Sequence, residues 1–410
     1  MMKMKILVIS AYYPPYHLGG YELRSRDIVE NLERKGHEFQ ILVSQYGINR
    51  PRVEGNVSRL LHLEPSKNLI QRIFWDVSDL RIIKKSISTF KPDVIYLFHV
   101  CQLARTIFPF LARYRIPVLY DEGGVGLILV HQGHGRWLSF CESNSKNIYK
   151  NLIRKIVCNT ISIVSGGLLP TRWKMPKMQV YFNSYSSHNR TIEAGIKLHN
   201  PKVIHSSIKF SEFPFNTSGI LQRDIKFILP ARIEPRKGIE DGINAIAILN
   251  KRFPNHDFFL NILGPLQDLN YYQHLNSIIS DNGINQNVNF LDKIDYSQMS
   301  KMYQEADFCF LLTRFESFSR VPLEAMASGC LLICTNVGGN LEIVTDGKNG
   351  FFVPVNNPVG IADVVERIIQ SPGLYNEITE NARKYIENYH SFEKYIDTIE
   401  ELLICTLENY

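Results

Sequence analysis

The sequence predicts an α/β protein of two Rossmann-like, doubly wound domains, and three observations carry that expectation. Two separate series of apolar strands alternating with amphipathic helices run along the chain, one opening at residue 4 and the other at Lys226. The first strand of each series runs into a loop of marked composition. In one it is Tyr12-Tyr13-Pro14-Pro15-Tyr16-His17-Leu18-Gly19-Gly20, in the other Arg232-Ile233-Glu234-Pro235-Arg236-Lys237-Gly238. A chain of 410 residues also exceeds one compact core and implies two domains of ordinary size.

In the first series, residues 4–11 form an apolar strand. A helix over Tyr21 to Lys35 follows, with Leu23, Ile28, Val29 and Leu32 on its apolar side. Gly36-His37 ends it, and Phe39 to Ser44 is the second strand. Gly19 and Gly20 occupy the first strand-to-helix turn, where glycine lets backbone approach a bound phosphate or sugar; a simple tight turn accounts for them equally. The turn is not G-x-G-x-x-G, so it carries no dinucleotide fingerprint. Residues 47–75 read as polar and irregular, and Asp76 to Phe90 as a helix. Val94 to Phe98 reads as a buried strand with His99 at its end, Ala104 to Tyr114 as a helix, and Ile116 to Tyr120 as a strand running into Asp121-Glu122-Gly123-Gly124. A helical pattern spans Asn151 to Val164, and Arg172, Trp173 and Lys174 form a basic-aromatic patch of the kind that favours membrane interfaces. Phe210 to Gly219, rich in Ser, Phe, Pro and Asn, reads as a linker. The expected division is 1–205, a linker at 206–219, a second domain at 220–388 and a last helix at 389–410.

The second series opens with the strand Lys226 to Ala231, the basic loop, and a helix from Ile239 to Asn250. Strands at Phe258 to Leu263 and Val288 to Leu291 alternate with helices at Tyr271 to Asp281 and Ser297 to Glu305. The second of these strands runs into Asp292-Lys293-Ile294. The apolar run Phe308 to Leu312 reads as a buried parallel strand, and Val321 to Ser328 as a helix closed by Gly329, with Pro322 tolerated in its first turn. Glu316 therefore sits in the loop at the carboxyl end of a strand, and Glu324 about a turn into the helix. Ligands of open α/β sheets bind at that edge. The backbone N–H groups of Ser317, Phe318 and Ser319 at the helix N-terminus suit a phosphate. An anion beside two carboxylates that accept sugar or ribose hydroxyls describes a nucleotide-sugar site, whereas two acids with this spacing alone are more often simply solvated.

Charge divides the chain. Residues 1–200 carry 28 Lys+Arg against 14 Asp+Glu (28 − 14 = +14), and residues 201–410 carry 18 against 26 (18 − 26 = −8), together the +6 of the whole. The first half is expected to meet something anionic. No helix-turn-helix, zinc-finger or RNP motif accompanies the charge, so nucleic acid is not the expected partner. An anionic membrane surface bearing a lipid-linked acceptor fits better, and a merely soluble basic face fits as well. No apolar run reaches the ~20 residues that span a bilayer. Met1 to Ser10 reads as a first strand and not a signal peptide. Seven cysteines without a C-x-x-C pair fit a reduced, cytoplasmic setting, peripheral at the inner face of the membrane if the basic half binds there, with Cys309, Cys330 and Cys334 as core packing.

Glu316-x7-Glu324, set in Pro322-Leu323-Glu324-Ala325-Met326-Ala327-Ser328-Gly329 and followed by Asn336-Val337-Gly338-Gly339-Asn340-Leu341-Glu342-Ile343-Val344, resembles the signature of the family-4 retaining glycosyltransferases, glycosyl transferases group 1, of the GT-B fold. The resemblance is dense over 226–353, thinner over 4–45 and thinnest over 46–205. It implies two domains facing across a cleft, the first for the acceptor and the second for the donor, with the last helix (Ser391 to Asn409) crossing back to the first domain. It further implies that Arg232 and Lys237 neutralise the donor's pyrophosphate, with Ala231 where relatives have glycine. Glu316 would hold the donor sugar, Glu324 the ribose diol, backbone near Lys293 and Ile294 the base, and the Gly19-Gly20 loop the diphosphate. The His that ends a first-domain strand in relatives falls here near Gly123. His99, His131 and His134 are candidate substitutes, and Asp121 and Glu122 stand where an acid could meet the acceptor hydroxyl. No D-x-D occurs, so no metal is expected, and the co-substrate expected is a UDP- or GDP-sugar without further cofactor. The implied activity is metal-independent hexosyl transfer in cell-surface polysaccharide or lipid-linked glycan synthesis. A nucleotide-sugar epimerase of the same fold, or a non-catalytic sugar-nucleotide-binding scaffold, are the alternatives.

Overall fold

The two series assemble into two compact units, Met1–Ile204 with Ile396–Tyr410, and His205–Tyr395. The computed structural model describes residues 2–409 except 65, 67, 134 and 217–223. His134, the end of the expected linker (217–219) and the start of the expected second domain (220–223) lie outside the described residues.

The first unit runs β1 (Lys5–Ser10), α1 (Gly20–Arg34), β2 (Glu38–Ser44), β3 (Arg52–Glu54), β4 (Val57–Leu61), α2 (Leu69–Phe90), β5 (Val94–Phe98), α3 (Ile107–Leu111), β6 (Val118–Glu122), α4 (Gly126–His131), α5 (Arg136–Glu142), α6 (Ile148–Val164), β7 (Gln179–Phe182), α7 (Tyr185–Glu193) and β8 (Lys202–Val203). Among the described residues its strands form one eight-stranded sheet, β3-β4-β2-β1-β5-β6-β7-β8, parallel except for β3 against β4. Val8 of β1 lies opposite Ile41 on one side and Tyr96 on the other, and Ile6 to Ile9 are fully buried, as a parallel strand covered on both faces requires. From β1 the chain winds outward toward β4, returns, and winds the other way toward β8. The direction therefore switches between β1 and β5, where the carboxyl ends of the strands open a crevice.

The second unit repeats the plan with β9 (Asp224–Pro230), α8 (Ile239–Arg252), β10 (Asp257–Leu263), α9 (Leu269–Asp281), β11 (Val288–Leu291), α10 (Tyr296–Gln304), β12 (Phe308–Leu311), α11 (Arg320–Ser328), β13 (Leu331–Thr335), β14 (Phe351–Val353), α12 (Pro358–Gln370) and α13 (Pro372–Tyr389). Among the described residues its sheet has six strands, all parallel, in the order β11-β10-β9-β12-β13-β14. Phe227 sits in register between Leu260 and Phe308, and stacks on Phe308 at 5.1 Å. Here the switch falls between β9 and β12. Ile208 and Phe213, within the stretch expected to link the domains, are fully buried in this unit, Phe213 packing edge-on against Tyr296 at 5.9 Å. The last helix, α14 (Phe392–Glu408), starts in the second unit, and from Ile396 onward belongs to the first, as expected. There Glu400 meets His37 Nε2 at 3.0 Å and also takes Lys35.

Three expectations are corrected. Residues 47–75 are not irregular: they hold β3, β4 and the first turns of α2, which starts at Leu69, capped by Asn68, rather than at Asp76. The pattern was hidden because charge points inward and apolar groups outward. Arg59, Arg72 and Asp79 are buried while Ile70 and Phe74 are exposed. Arg59 donates to the carbonyls of Tyr13 and Pro14 and so holds the loop after β1, and Asp79 accepts His62 Nδ1 at 2.7 Å with Arg72 at 3.5 Å. The helix expected over Ala104 to Tyr114 is only the short α3. Trp173 is not a free interfacial aromatic, since it packs on Phe108 (5.6 Å) and under Arg105 (4.2 Å).

The inverted polarity of α2 has a direct test. Asp79→Ala strips a buried partner from Arg72 and His62 and should cost about 3–5 kcal/mol, whereas Phe74→Ala, on the exposed side, should stay within about 0.5 kcal/mol. Urea-unfolding midpoints of the two variants check this, and a larger loss for Phe74→Ala would refute it.

Candidate functional site

Two loops leave the carboxyl ends of β9 and β12, and the structure binds them together. The first, Arg232 to Gly238, ends in a short turn at Pro235–Lys237. The second, Thr313 to Ser319, leads into α11. Arg314 N–H and the Thr313 hydroxyl both donate to the Arg236 carbonyl, at 2.8 and 3.2 Å. Gly238 has φ 61°, and a Cβ there would lie 2.2 Å from the Leu312 carbonyl oxygen, so only glycine allows the loops this close. The Arg314 guanidinium reaches Glu240 (2.7 Å) and Asp241 (2.5 Å) in the first turn of α8, where acids are favoured by the helix dipole. Across the joint, Lys237 Nζ donates to Glu316 Oε2 at 3.2 Å, with both side chains largely buried. Arg232 pairs with Glu234 at 3.1 Å, and the more exposed Arg236 shares that carboxylate.

Behind the same loop, Gly339 N–H donates to the Glu316 carbonyl at 3.0 Å. A Cβ on Gly339 would sit 1.8 Å from the Ser317 carbonyl oxygen, so the Gly338-Gly339 turn sets the position of residues 316–318. Ser319 caps α11, its hydroxyl accepting from Val321 N–H, and Phe318 is buried with its ring stacked on His205 at 5.1 Å. Glu324 lies inside. It accepts the hydroxyls of Tyr296 (2.8 Å) and Tyr303 (3.0 Å) and Arg320 Nε (3.2 Å). A carboxylate has about four acceptor positions, so three are in use. Burial, then the Glu324 charge, pushes both tyrosines well above the ordinary phenol range, which keeps them neutral donors. Lys293 is exposed and Ile294 half-buried in the loop that feeds Tyr296, so they share this side of the site.

In the first unit, the switch point gathers Gly19, Gly20 and His99 around a residue that sequence reasoning passed over, Glu22. One Glu22 oxygen accepts Gly19 N–H at 2.9 Å and the other meets His99 Nδ1 at 2.7 Å. The Gly19-x-x-Glu22 spacing is that of a capping box and could have flagged it. A Cβ on Gly19 would meet no atom within 4 Å, so the space beside this turn is open. Burial opposes charge on His99, but the Cys101 and Glu22 side chains overcome it and push its pKa up to about 10. Glu22, despite burial, is held below the usual carboxylate range by His99 and Gly19. The pair is therefore ionic at neutral pH.

Asp121 and Glu122 are placed differently from the expectation that they face an acceptor. Both are buried. Asp121 takes Arg24 and the Tyr181 hydroxyl, each at 2.5 Å, while Glu122 accepts the backbone N–H groups of Gly124, Gly126 and Leu127 at 2.6–2.9 Å. They hold the start of α4 and the sheet edge together. His131 ends α4 and is exposed. In the same unit, a hollow of about 350 Å³ is lined by Tyr46, His62, Glu64 and Trp75 among others, with His62 and Trp75 stacked at 4.9 Å.

Two Rossmann-like domains of parallel strands, each with its own switch point, define the fold as GT-B. Residues 211–385 match the family model of glycosyl transferases group 1. The chain is 26% identical to an uncharacterized glycosyltransferase of Methanocaldococcus jannaschii, over 95% of each chain. Its fold is shared with Anabaena HepE, solved in complex with UDP (TM-score 0.70, 18% identity, 98% of this chain and 100% of that one). It is shared too with the sucrose-phosphate synthase of Thermosynechococcus elongatus (TM-score 0.74, 17% identity, 100% of both chains).

The His99–Glu22 pair makes stability depend on pH. His99 is held at about 10 against an ordinary 6.5, so its contribution is complete below about 6.5 and is lost as pH rises through about 10. Between pH 6 and 10.5 the wild type should lose at least about 1 kcal/mol that His99→Asn does not lose. Parallel urea titrations measure the difference, and equal slopes would remove the ion pair from the account.

Proposed function

We propose that the protein is a retaining glycosyltransferase that moves a sugar from a UDP- or GDP-sugar to an acceptor hydroxyl of a glycan or lipid-linked glycan. The observation that supports it most is the meeting of Arg232, Lys237, Glu316 and the N-terminus of α11 at the switch point of the second unit. The difficult step is cleavage of the bond from anomeric carbon to phosphate oxygen. Arg232 and Lys237, with the backbone of Ser317, Phe318 and Ser319, would stabilise the charge that grows on the leaving diphosphate. Because the loops are already tied to each other, little reorganisation remains to be done at the moment of reaction. Glu324, with one acceptor position left, suits a ribose hydroxyl, and the loop at Lys293 and Ile294 suits the base. The UDP in the HepE complex makes a uridine donor the first to try.

Glu316 bears on the stereochemistry. Its carboxylate is ion-paired with Lys237, which lowers its nucleophilicity and suits it to accept sugar hydroxyls. That favours attack by the acceptor on the face the leaving phosphate vacates, with the phosphate oxygen taking the acceptor's proton. For the acceptor, the hollow at Tyr46, His62, Glu64 and Trp75 replaces Asp121 and Glu122 as the reading, since a stacked aromatic surface beside a carboxylate matches the apolar face and hydroxyl edge of a sugar ring. His99, protonated at neutral pH, suits an anion better than it suits proton abstraction.

A thermal-shift and hydrolysis panel of UDP-, GDP- and ADP-sugars should show one nucleotide that raises Tm and whose sugar is slowly released. Arg232→Ala and Lys237→Ala should lower turnover by ~10²-fold or more while the protein stays folded. Turnover unchanged in both would sink the assignment, and nucleotide binding without release or transfer would favour the scaffold. Release of a C2-inverted nucleotide-sugar in place of transfer would favour the epimerase. Once an acceptor is in hand, Trp75→Ala should raise its KM by ~10-fold and leave donor hydrolysis alone; an unchanged KM would move the acceptor elsewhere.

A further inference from the structure

Helix α6 carries an apolar face turned away from the fold. At 100° per residue, Asn151, Arg154, Cys158, Ile161 and Ser165 fall on one side, which is the side that packs. Cys158 is 3% exposed, Arg154 bonds Asn151 at 2.6 Å, and Asn151 bonds Ser145. The opposite side presents Ile148, Tyr149, Leu152, Ile153, Ile156, Ile163 and Val164, each 55–80% exposed, interrupted by the exposed Asn159 and Thr160. Large aliphatic groups scattered singly on a surface need no explanation, but seven large apolar groups on one side of one helix do. Lys150 and Lys155 lie at its two borders, one on each, and the helix contains no Asp or Glu. The helix is formed in its own right, its first turn capped by Asn147, which accepts from Tyr149 and Lys150 N–H.

We propose that α6 is an interfacial helix that seats the first unit on an anionic lipid surface, lying flat with this face among the acyl chains and its bordering lysines at the phosphates. Its 17 residues rise about 25 Å, and among the described residues no helix is long and apolar enough to cross a membrane, so the helix lies along the surface. Charge complementarity selects the occupant. Lysines flanking an apolar face snorkel to anionic headgroups, whereas two copies of the face would bring like charges together. The +14 of residues 1–200 supplies the longer-range attraction. The inference is independent of the donor site and of any transfer activity, because it is read by binding alone.

The test is co-sedimentation of the full chain with vesicles of phosphatidylcholine alone and of phosphatidylcholine with about 30% phosphatidylglycerol at low and high salt. Binding should appear only with the anionic lipid and fall at high salt. Leu152→Glu with Ile156→Glu should lose at least ~10-fold in affinity with Tm unchanged, the residues being exposed. Lys150→Gln and Lys155→Gln should each lose about five-fold. No binding by wild type at low salt, or wild-type binding by the double Glu variant, overturns the proposal. So does a vesicle-free dimer, seen in sedimentation velocity, that the double variant abolishes, because the face would then belong to a second copy.

Discussion

The parallel pairing of β9 with β12 is the constraint on which the second unit depends. The two strands share only the register Phe308 to Phe227 and Cys309 to Ile228. Each then delivers its chain to a helix by a loop that starts at the same edge of the sheet. Parallel strands cannot be joined by hairpins, so the crossovers wind away to either side, and the loops between them border a crevice that no neighbouring strand fills. What occupies its rim is charge. Arg232, Arg236 and Lys237 follow β9, and Arg314 and Glu316 follow β12, each met by an opposite charge at 3.2 Å or less. Fixed pairs of this kind contribute little net stability, since desolvation offsets the attraction. Their effect is positional: they set backbone and side chains before any ligand arrives.

The same topology in the first unit is given a different chemistry. The switch between β1 and β5 is organised by one carboxylate, Glu22, which orients a backbone N–H of the glycine turn and keeps a histidine protonated. Aromatic rings gather around it, Tyr12 lying 5.2 Å and Tyr21 5.3 Å from His99. One fold thus supports a cation-rich rim in one unit and an aromatic rim in the other, and the difference lies in loop residues rather than in the sheets.

How much was legible in the sequence follows from where each residue's partners lie. Continuous apolar runs such as Ile6 to Ile9 and Phe308 to Leu312 declare parallel strands by themselves, and Gly329 declares the end of α11. The residues proposed for the donor form a local constellation: Glu316 to Glu324 is one loop and one helix. The losses occurred where the deciding partner is distant. Nothing near Asp121 announces Arg24, 97 residues earlier, as the charge that lets it be buried. Arg59 broke the apolar pattern of β4 because its partners, the carbonyls of Tyr13 and Pro14 after β1, lie more than 40 residues earlier. Phe213 looked like part of a linker because the pocket formed by Tyr296 and Tyr303 arises from a helix more than 80 residues later.

Glu316 and Glu324 show how environment separates two identical side chains in one motif. Glu324 is enclosed by neutral hydroxyls and one guanidinium, which use three of its about four acceptor positions and fix both oxygens. What remains is a rigid acceptor, suited to a hydroxyl whose position never changes during reaction. Glu316 has a lysine as its partner across a loop junction, and a lysine ammonium has three donors. The contact with Glu316 occupies one, so Lys237 can hold an anionic oxygen without releasing the carboxylate. In the proposed transfer this couples the two ends of the scissile bond: the cation that meets the phosphate is the same one that orients the acid beside the sugar. A glutamate held in that way is poorly placed to swing onto an anomeric carbon, and well placed to keep the sugar still while the phosphate leaves.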